Sequence, residues 1–196
     1  MSKVILDIND AFYPFLDADQ RIQIFFGGSS SGKSVFLAQR CVLDVLQKNR
    51  NYLIVRNVGN SIRSSVFNEV LKVIYDSEEL HEFFSINRSE MIITCANERQ
   101  ILFKGLDDPE KLKSITPKKG VITDIWIEEA TEITKDAYKQ LTKRLRGESG
   151  VKKRIHFSFN PILRQHWIYQ NFFAGRFGDD DKVYQDDDLL ILHTTY

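Results

Sequence analysis

The sequence predicts an α/β domain: a mostly parallel central sheet flanked by helices, with an antiparallel hairpin at its edge. Three observations carry this. Short apolar runs alternate with helical patterns of about ten to fifteen residues, the signature of crossovers between parallel strands. One such run, Ile22–Phe26, leads straight into Gly27-x-x-x-x-Gly32-Lys33-Ser34, with a helical pattern directly after. Met91–Cys95 and Gln100–Phe103 are two apolar runs split by Ala96-Asn97-Glu98-Arg99, which reads as the hairpin. Right-handed crossovers place a ligand site at the carboxyl ends of the strands.

Taken in order, residues 1–21 hold Phe12-Tyr13-Pro14-Phe15-Leu16. This aromatic cluster is either an edge on which an adenine ring stacks or a hydrophobic lid on the sheet, and the lid is the favoured reading. After strand Ile22–Phe26, the residues Val35, Ala38, Val42 and Val45 recur at helical spacing, broadened by Phe36, Leu37, Cys41 and Leu46. That helix opens at Lys33 and stops near Lys48-Asn49-Arg50-Asn51, before strand Tyr52–Val55. Ile62, Val66, Phe67, Val70, Leu71 and Ile74 give a second amphipathic helix from about Ser61. Beyond the hairpin, Asp107–Lys119 is polar and rich in lysine (Lys111, Lys113, Lys118, Lys119), a loop or short helix expected to move. Strand Ile122–Ile127, helix Thr134–Leu145, strand Ile155–Phe159, a short aromatic helix Gln165–Phe173 and strand Leu189–His193 complete the chain, with no internal repeat. Residues 1–178 read as one domain and 179–196 as an acidic linker with a last strand. Asp179-Asp180-Asp181 and Asp186-Asp187-Asp188 are read as solvated linker rather than metal ligands.

The bulk numbers exclude little. The 196 residues suffice for one substantial core, and 42% hydrophobic with 28% charged content is ordinary for a globular domain. The formal net charge is zero, so any polyanion contact has to come from local basic patches. No secretory signal is visible, and no apolar stretch approaches the ~18–20 residues that span a bilayer. Cys41 and Cys95 read as buried thiols of a reducing compartment.

Three strand ends carry residues suited to one chemistry. Gly27-Gly28-Ser29-Ser30-Ser31-Gly32-Lys33-Ser34 has the spacing of a phosphate-binding loop. In such a loop the backbone N–H groups cradle phosphates, Lys33 reaches the β and γ oxygens, and Ser34 ligates Mg²⁺. A merely flexible Gly/Ser loop is the alternative, and strand and helix on either side argue against it. Glu128-Glu129 closes the apolar run Ile125-Trp126-Ile127. Glu128 is assigned to the Mg²⁺ side through coordinated water, although Asp is the more usual residue there. Glu129 is assigned as the general base that polarises attacking water. Asn160 ends strand Ile155–Phe159 and is placed to bond a γ-phosphate or that water; a plain Asn-Pro turn is the alternative. Arg56, Arg63, Arg144 and Arg146 are candidates for stabilising transferred charge, and spacing does not choose among them. Lys143-Arg144, Arg146, Lys152-Lys153-Arg154 and the lysine-rich loop are candidates for salt-sensitive contact with a phosphate backbone, with solvated charge as the alternative.

Gly27–Ser34, then Phe103-Lys104-Gly105-Leu106-Asp107-Asp108 with Lys111-Leu112-Lys113-Ser114, Ile125–Ala130, and Ser158-Phe159-Asn160-Pro161 followed by His166-Trp167, resemble the large terminase subunit of tailed bacteriophages. The likeness is to the prophage-type group and covers about Ile22 to the end. It implies a RecA-like P-loop NTPase of the additional-strand, catalytic-glutamate type, which binds ATP and Mg²⁺ and drives double-stranded DNA into a procapsid. It implies that Ser158–Asn160 is the family's coupling motif. Further implied partners are the portal protein, a small terminase subunit and other copies of the chain in a ring; the implied location is the host cytoplasm, with no membrane. The family's nuclease domain is expected beyond Tyr196, so no nuclease activity is expected here. Two other readings stay open: a P-loop kinase of a small molecule, and a nucleotide-binding switch that does not hydrolyse.

Overall fold

The computed structural model describes residues 6–107, 112 and 115–194. Strand β1 (Ile22–Gly27) feeds helix α1 (Lys33–Gln47). Strand β2 (Tyr52–Arg56) leads into a helical run made of α2 (Gly59–Ile62), a π-helical turn (Arg63–Phe67) and α3 (Asn68–Tyr75). Next come α4 (Glu78–Phe83) and strands β3 (Phe84–Asn87), β4 (Ile92–Cys95) and β5 (Gln100–Gly105). Strand β6 (Asp124–Glu128) passes through a 3₁₀ turn (Ala130–Glu132) into α5 (Lys135–Thr142). Strand β7 (Arg154–Phe159), a π-helical turn (Tyr169–Phe173) and the strands β8 (Val183–Gln185) and β9 (Leu189–Thr194) follow.

The described strands form a nine-stranded sheet in the order β3-β4-β5-β2-β6-β7-β1-β9-β8. From β5 to β9 the neighbours are parallel, while β3, β4 and β8 are antiparallel at the two edges. Strand β7 stands between β1 and β6, the additional strand expected of a RecA-like sheet. Every residue of β6 and β7 is buried, as both faces of a parallel sheet must be. On one face Phe25, Ile54 and Trp126 meet the apolar sides of α1 and α3. On the other, Ile24, Ile125 and Phe157 meet Leu141 and Phe173. Each fully buried large apolar side chain contributes about 1.5–3 kcal/mol, so the two layers hold the strand ends rigidly.

Several expectations shift. Val35 is 46% exposed, so the buried stripe of α1 begins at Phe36. Helix α5 is shorter than Thr134–Leu145: the Thr134 hydroxyl accepts from the Ala137 N–H at 3.1 Å and caps it, and a turn ends it after Thr142. Phe12 is 2% exposed and stacks on Phe36 at 4.7 Å, which is the lid reading, while Tyr13 beside it is 66% exposed. The tract 186–188 is a hairpin turn in which Asp186 Oδ1 accepts from the N–H groups of Asp188 (2.8 Å) and Leu189 (2.7 Å). Asp179 pairs with Arg164, and β9 lies inside the sheet with Ile22 opposite Leu189. Cys41 and Cys95 are buried and free. Among the described residues no helix is long and apolar enough to cross a membrane.

The candidate phosphate-backbone surface needs one correction. Arg154 is buried and bonds Asp124 (2.6 Å), Asp44 and Tyr52, because a guanidinium inside the sheet has to be paired. It is not available to a nucleic acid. Lys143, Arg146 and Lys118 are exposed, and Lys119 pairs with Glu98 at 2.8 Å. Lys111, Lys113, Asp108 and Ser114 lie outside the described residues.

Candidate functional site

The loop between β1 and α1 is shaped by two left-handed residues, Ser30 (φ +67°) and Gly32 (φ +81°). Gly32 is the N-cap of α1, so that geometry turns the chain into the helix where a Cβ would be strained. Gly27 has a different constraint. A Cβ there would lie 2.0 Å from the Thr194 carbonyl oxygen, so the loop starts pressed against the end of β9. The Ser31 hydroxyl donates to Thr194 Oγ1 at 2.7 Å, and Thr194 Oγ1 donates to the Phe26 carbonyl at 3.1 Å. Thus β9 fixes both ends of the loop. By contrast, a Cβ on Gly28 would meet nothing within 4 Å, and Gly28, Ser29 and Ser30 face solvent. Gly27→Ala is therefore expected to lower stability by about 1–3 kcal/mol through overpacking against rigid backbone. Thermal unfolding checks this, with Gly28→Ala, near-neutral for stability, as the control.

Lys33 opens α1, buried, with its ammonium folded back over the loop. Nζ donates to the carbonyls of Gly27 (3.2 Å) and Gly28 (3.0 Å) and to Asn160 Oδ1 (3.1 Å). Burial lowers its pKa; the charge of Glu129, and then that of Glu128, works against this. The loop on β1, the end of β7 and the end of β6 therefore converge on one ammonium group.

At the end of β6, the Glu128 carboxylate is largely buried. Its Oε2 accepts from the Ser65 hydroxyl at 3.0 Å and lies 4.0 Å from Arg56 Nη1. Burial raises its pKa, while the Ser65 bond and the Arg56 charge pull it down. Glu129 follows at φ +50°, ψ +50°, a left-handed conformation uncommon for a non-glycine residue. That reversal stops the strand and opens the 3₁₀ turn. Behind both acids, Trp126 Nε1 donates to Ser158 Oγ at 2.8 Å, which locks β6 to β7 two residues before Glu128 and Asn160.

Among the four arginine candidates, Arg56 stands at this acidic end, 3.8 Å from Glu132 as well. Arg63 and Arg146 are exposed, and Arg144 donates to the Ile115 carbonyl at 2.6 Å. Ser65 carries no signal in the sequence, where it is one more polar position in a helical pattern. Ser34 sits in the first turn of α1, and among the described residues no hydrogen bond joins it to Glu128. Nor, among them, could any group of three His, Cys, Asp or Glu side chains hold a metal ion. A Mg²⁺ site here is therefore no all-protein cage. A hydroxyl and one carboxylate fit the mode in which Mg²⁺ keeps waters and takes phosphate oxygens.

A family model described as phage terminase large subunit matches residues 19–196. The PBSX phage terminase large subunit of Bacillus subtilis (strain 168) is 31% identical over 98% of this chain and 44% of its own length. The large terminase subunit of Bacillus phage SPP1 is 32% identical over 74% of this chain and 36% of its own. The chain thus spans less than half the length of either relative. Among solved structures, the large terminase of a thermophilic bacteriophage superposes with a TM-score of 0.74 at 14% identity, over 97% of this chain and 46% of that one. The same phage protein in complex with ADP gives a TM-score of 0.71 at 15% identity, over 95% of this chain and 45% of that one. These likenesses show the fold.

Proposed function

Because the chain belongs to the phage terminase large-subunit family, we propose that it is an ATP-hydrolysing motor domain that moves double-stranded DNA into a viral procapsid. The observation that carries this reading is the convergence of Gly27–Ser34, Glu128-Glu129 and Asn160 around the Lys33 ammonium.

In this reading the N–H groups of residues 27–34 and the N-terminal end of α1 bind the triphosphate of ATP. Lys33 exchanges its neutral carbonyl partners for phosphate oxygens, a favourable trade for an ammonium already stripped of water. Ser34, and Glu128 through coordinated water, would hold Mg²⁺, which would supply positive charge against that of the transferred phosphoryl group. Glu129 accepts the proton of the attacking water. Asn160 loses its Lys33 partner as the ammonium turns to the nucleotide, so its amide is freed to bond the γ-phosphate or that water. Arg56 is the candidate in this chain for stabilising the transferred charge. The portal protein, a small terminase subunit and other copies of the chain in a ring are the partners of this proposal, and the host cytoplasm its setting.

The test is steady-state ATP hydrolysis by the chain with Mg²⁺, with and without double-stranded DNA, beside nucleotide binding. Turnover is expected, and Lys33→Ala is expected to weaken ATP binding ~10-fold to ~100-fold, the worth of a hydrogen bond to a charged group. Binding without turnover, even with DNA, would make the chain a switch. Turnover that requires a small-molecule acceptor would make it a kinase.

A further inference from the structure

The helical run from Gly59 to Tyr75 is broken at one residue. Ser65 has φ −108° and ψ −108°, outside the helical region, inside a π-helical turn that covers Arg63–Phe67. Such turns add a residue to a helix turn and re-aim a side chain. On either side the run is regular: Ile62, Val66, Phe67, Val70 and Ile74 are all buried in the same core. The apolar periodicity fixes the helix to the sheet on both sides of the departure at Ser65.

The departure brings Ser65 to the end of β6. The Ser65 hydroxyl donates to Glu128 Oε2 at 3.0 Å, and Arg56 approaches the same oxygen. No hydrogen bond reaches Glu128 Oε1 among the described residues. The kink is also held from both sides. Gly59 N–H donates to Asp107 Oδ2 at 3.4 Å, and Gly105 on β5 approaches Gly59 so closely that a Cβ would lie 2.4 Å from its Cα. At the other end the buried face of α3 packs on α1. A conformation outside the favoured wells persists only when its surroundings over-determine it, as they do here.

We propose that Ser65 is a positioning residue for Glu128: it pins Oε2 so that Oε1 is the oxygen presented to Mg²⁺ and its waters. A carboxylate can rotate about its last bond, and one fixed oxygen stops that rotation before the metal arrives. This inference rests on the reading of Glu128 as the Mg²⁺-side acid, and its test separates the two.

The test is Mg²⁺ dependence of ADP binding, followed by a fluorescent nucleotide or by calorimetry. It uses the parent chain, Ser65→Ala, Glu128→Gln, and the equal-shaped pair Ser65→Thr and Ser65→Val. Ser65→Ala and Ser65→Val are expected to raise the Mg²⁺ midpoint about 10-fold or more, the worth of a hydrogen bond to a charged group. Ser65→Thr, which keeps the hydroxyl, stays near the parent. ADP affinity without Mg²⁺ is unchanged in the Ser65 variants, which reports an intact fold. Where ATP turnover is measurable, kcat falls with little change in KM at saturating Mg²⁺. If Glu128→Gln raises the midpoint while Ser65→Val behaves like Ser65→Thr, the inference is overturned. If Glu128→Gln leaves the midpoint unmoved, the metal-side assignment fails and this inference falls with it.

Discussion

Asp124→Ala is expected to lower folding stability by about 3–5 kcal/mol, the effect of removing one partner from a buried ion pair. Asp124 is the first residue of β6 and is fully buried. Its Oδ1 accepts from Arg154 Nε at 2.6 Å, and its Oδ2 accepts from Arg50 Nη1 at 3.0 Å and from the Thr123 hydroxyl at 2.7 Å. His156 Nε2 lies 3.1 Å from Oδ1. Arg154 also bonds Asp44 on α1, and Tyr52 on β2 donates to the same Asp44 oxygen at 2.6 Å. The cluster ties the starting ends of β2, β6 and β7 to the helix that follows the phosphate loop. Without Asp124, the Arg50 and Arg154 guanidinium groups remain buried, each short of a carboxylate partner. The urea midpoint measures this, and a shift under about 1 kcal/mol would mean that water reaches Arg154 and replaces the carboxylate.

The same cluster sets an acid limit. Burial and the Arg154 charge lower the pKa of His156 to about 4, so the folded chain holds its imidazole neutral. With Nε2–H donating to Asp124, Nδ1 has no hydrogen-bond partner among the described residues, and protonating it would add a further cation beside the buried Arg154 and Arg40. An unfolded histidine titrates near ~6.5. The unfolded chain therefore binds more protons than the folded one between those values, and stability falls as pH drops from ~6.5 to about 4. Burial pushes the Asp124 and Asp44 carboxyls up, but the Arg154 charge beside them outweighs it and holds both below the ordinary carboxylate range. Their contribution is present above ~3.9 and is lost as pH falls further.

This cluster marks where the sequence stops being legible. The phosphate loop and the acidic end of β6 are local: strand, turn and helix follow one another in a few residues, so spacing alone places Lys33 and Glu128. The ion cluster joins residues such as Asp44 and Arg154, far apart in the chain, and spacing says nothing about that pairing. A signal is there nonetheless. Asp124 and His156 interrupt otherwise apolar buried strands, and a charge in that position has to have a partner. Read alone, Arg154 is one more member of a basic run. The edge strands β3 and β8 and helix α4 are short, and their order comes from pairing with β4 and β9 rather than from their own pattern. Ser65 is hidden for another reason: a π-turn obeys the apolar periodicity on both sides of it.

Glu129→Gln is expected to lower ATP turnover by about 10²–10⁴-fold while ATP binding stays near the parent value, the effect of removing a general base. Both adjacent acids act on the Lys33 ammonium, Glu129 more strongly than Glu128. Glu128 instead turns toward Ser65 and Arg56. The backbone separates them: β6 ends at Glu128, and the left-handed residue after it carries the next side chain away from the sheet. That conformation disfavours a non-glycine residue by roughly 1–2 kcal/mol, which makes a second variant informative. Glu129→Gly is expected to be as inactive as Glu129→Gln and yet more stable than it, because glycine relieves the strain. Opposite signs in turnover and in melting temperature would mark Glu129 as a position where stability yields to chemistry. If Glu129→Gln turns over ATP at the parental rate, Glu129 is not the base, and a water held by Asn160 becomes the group to test.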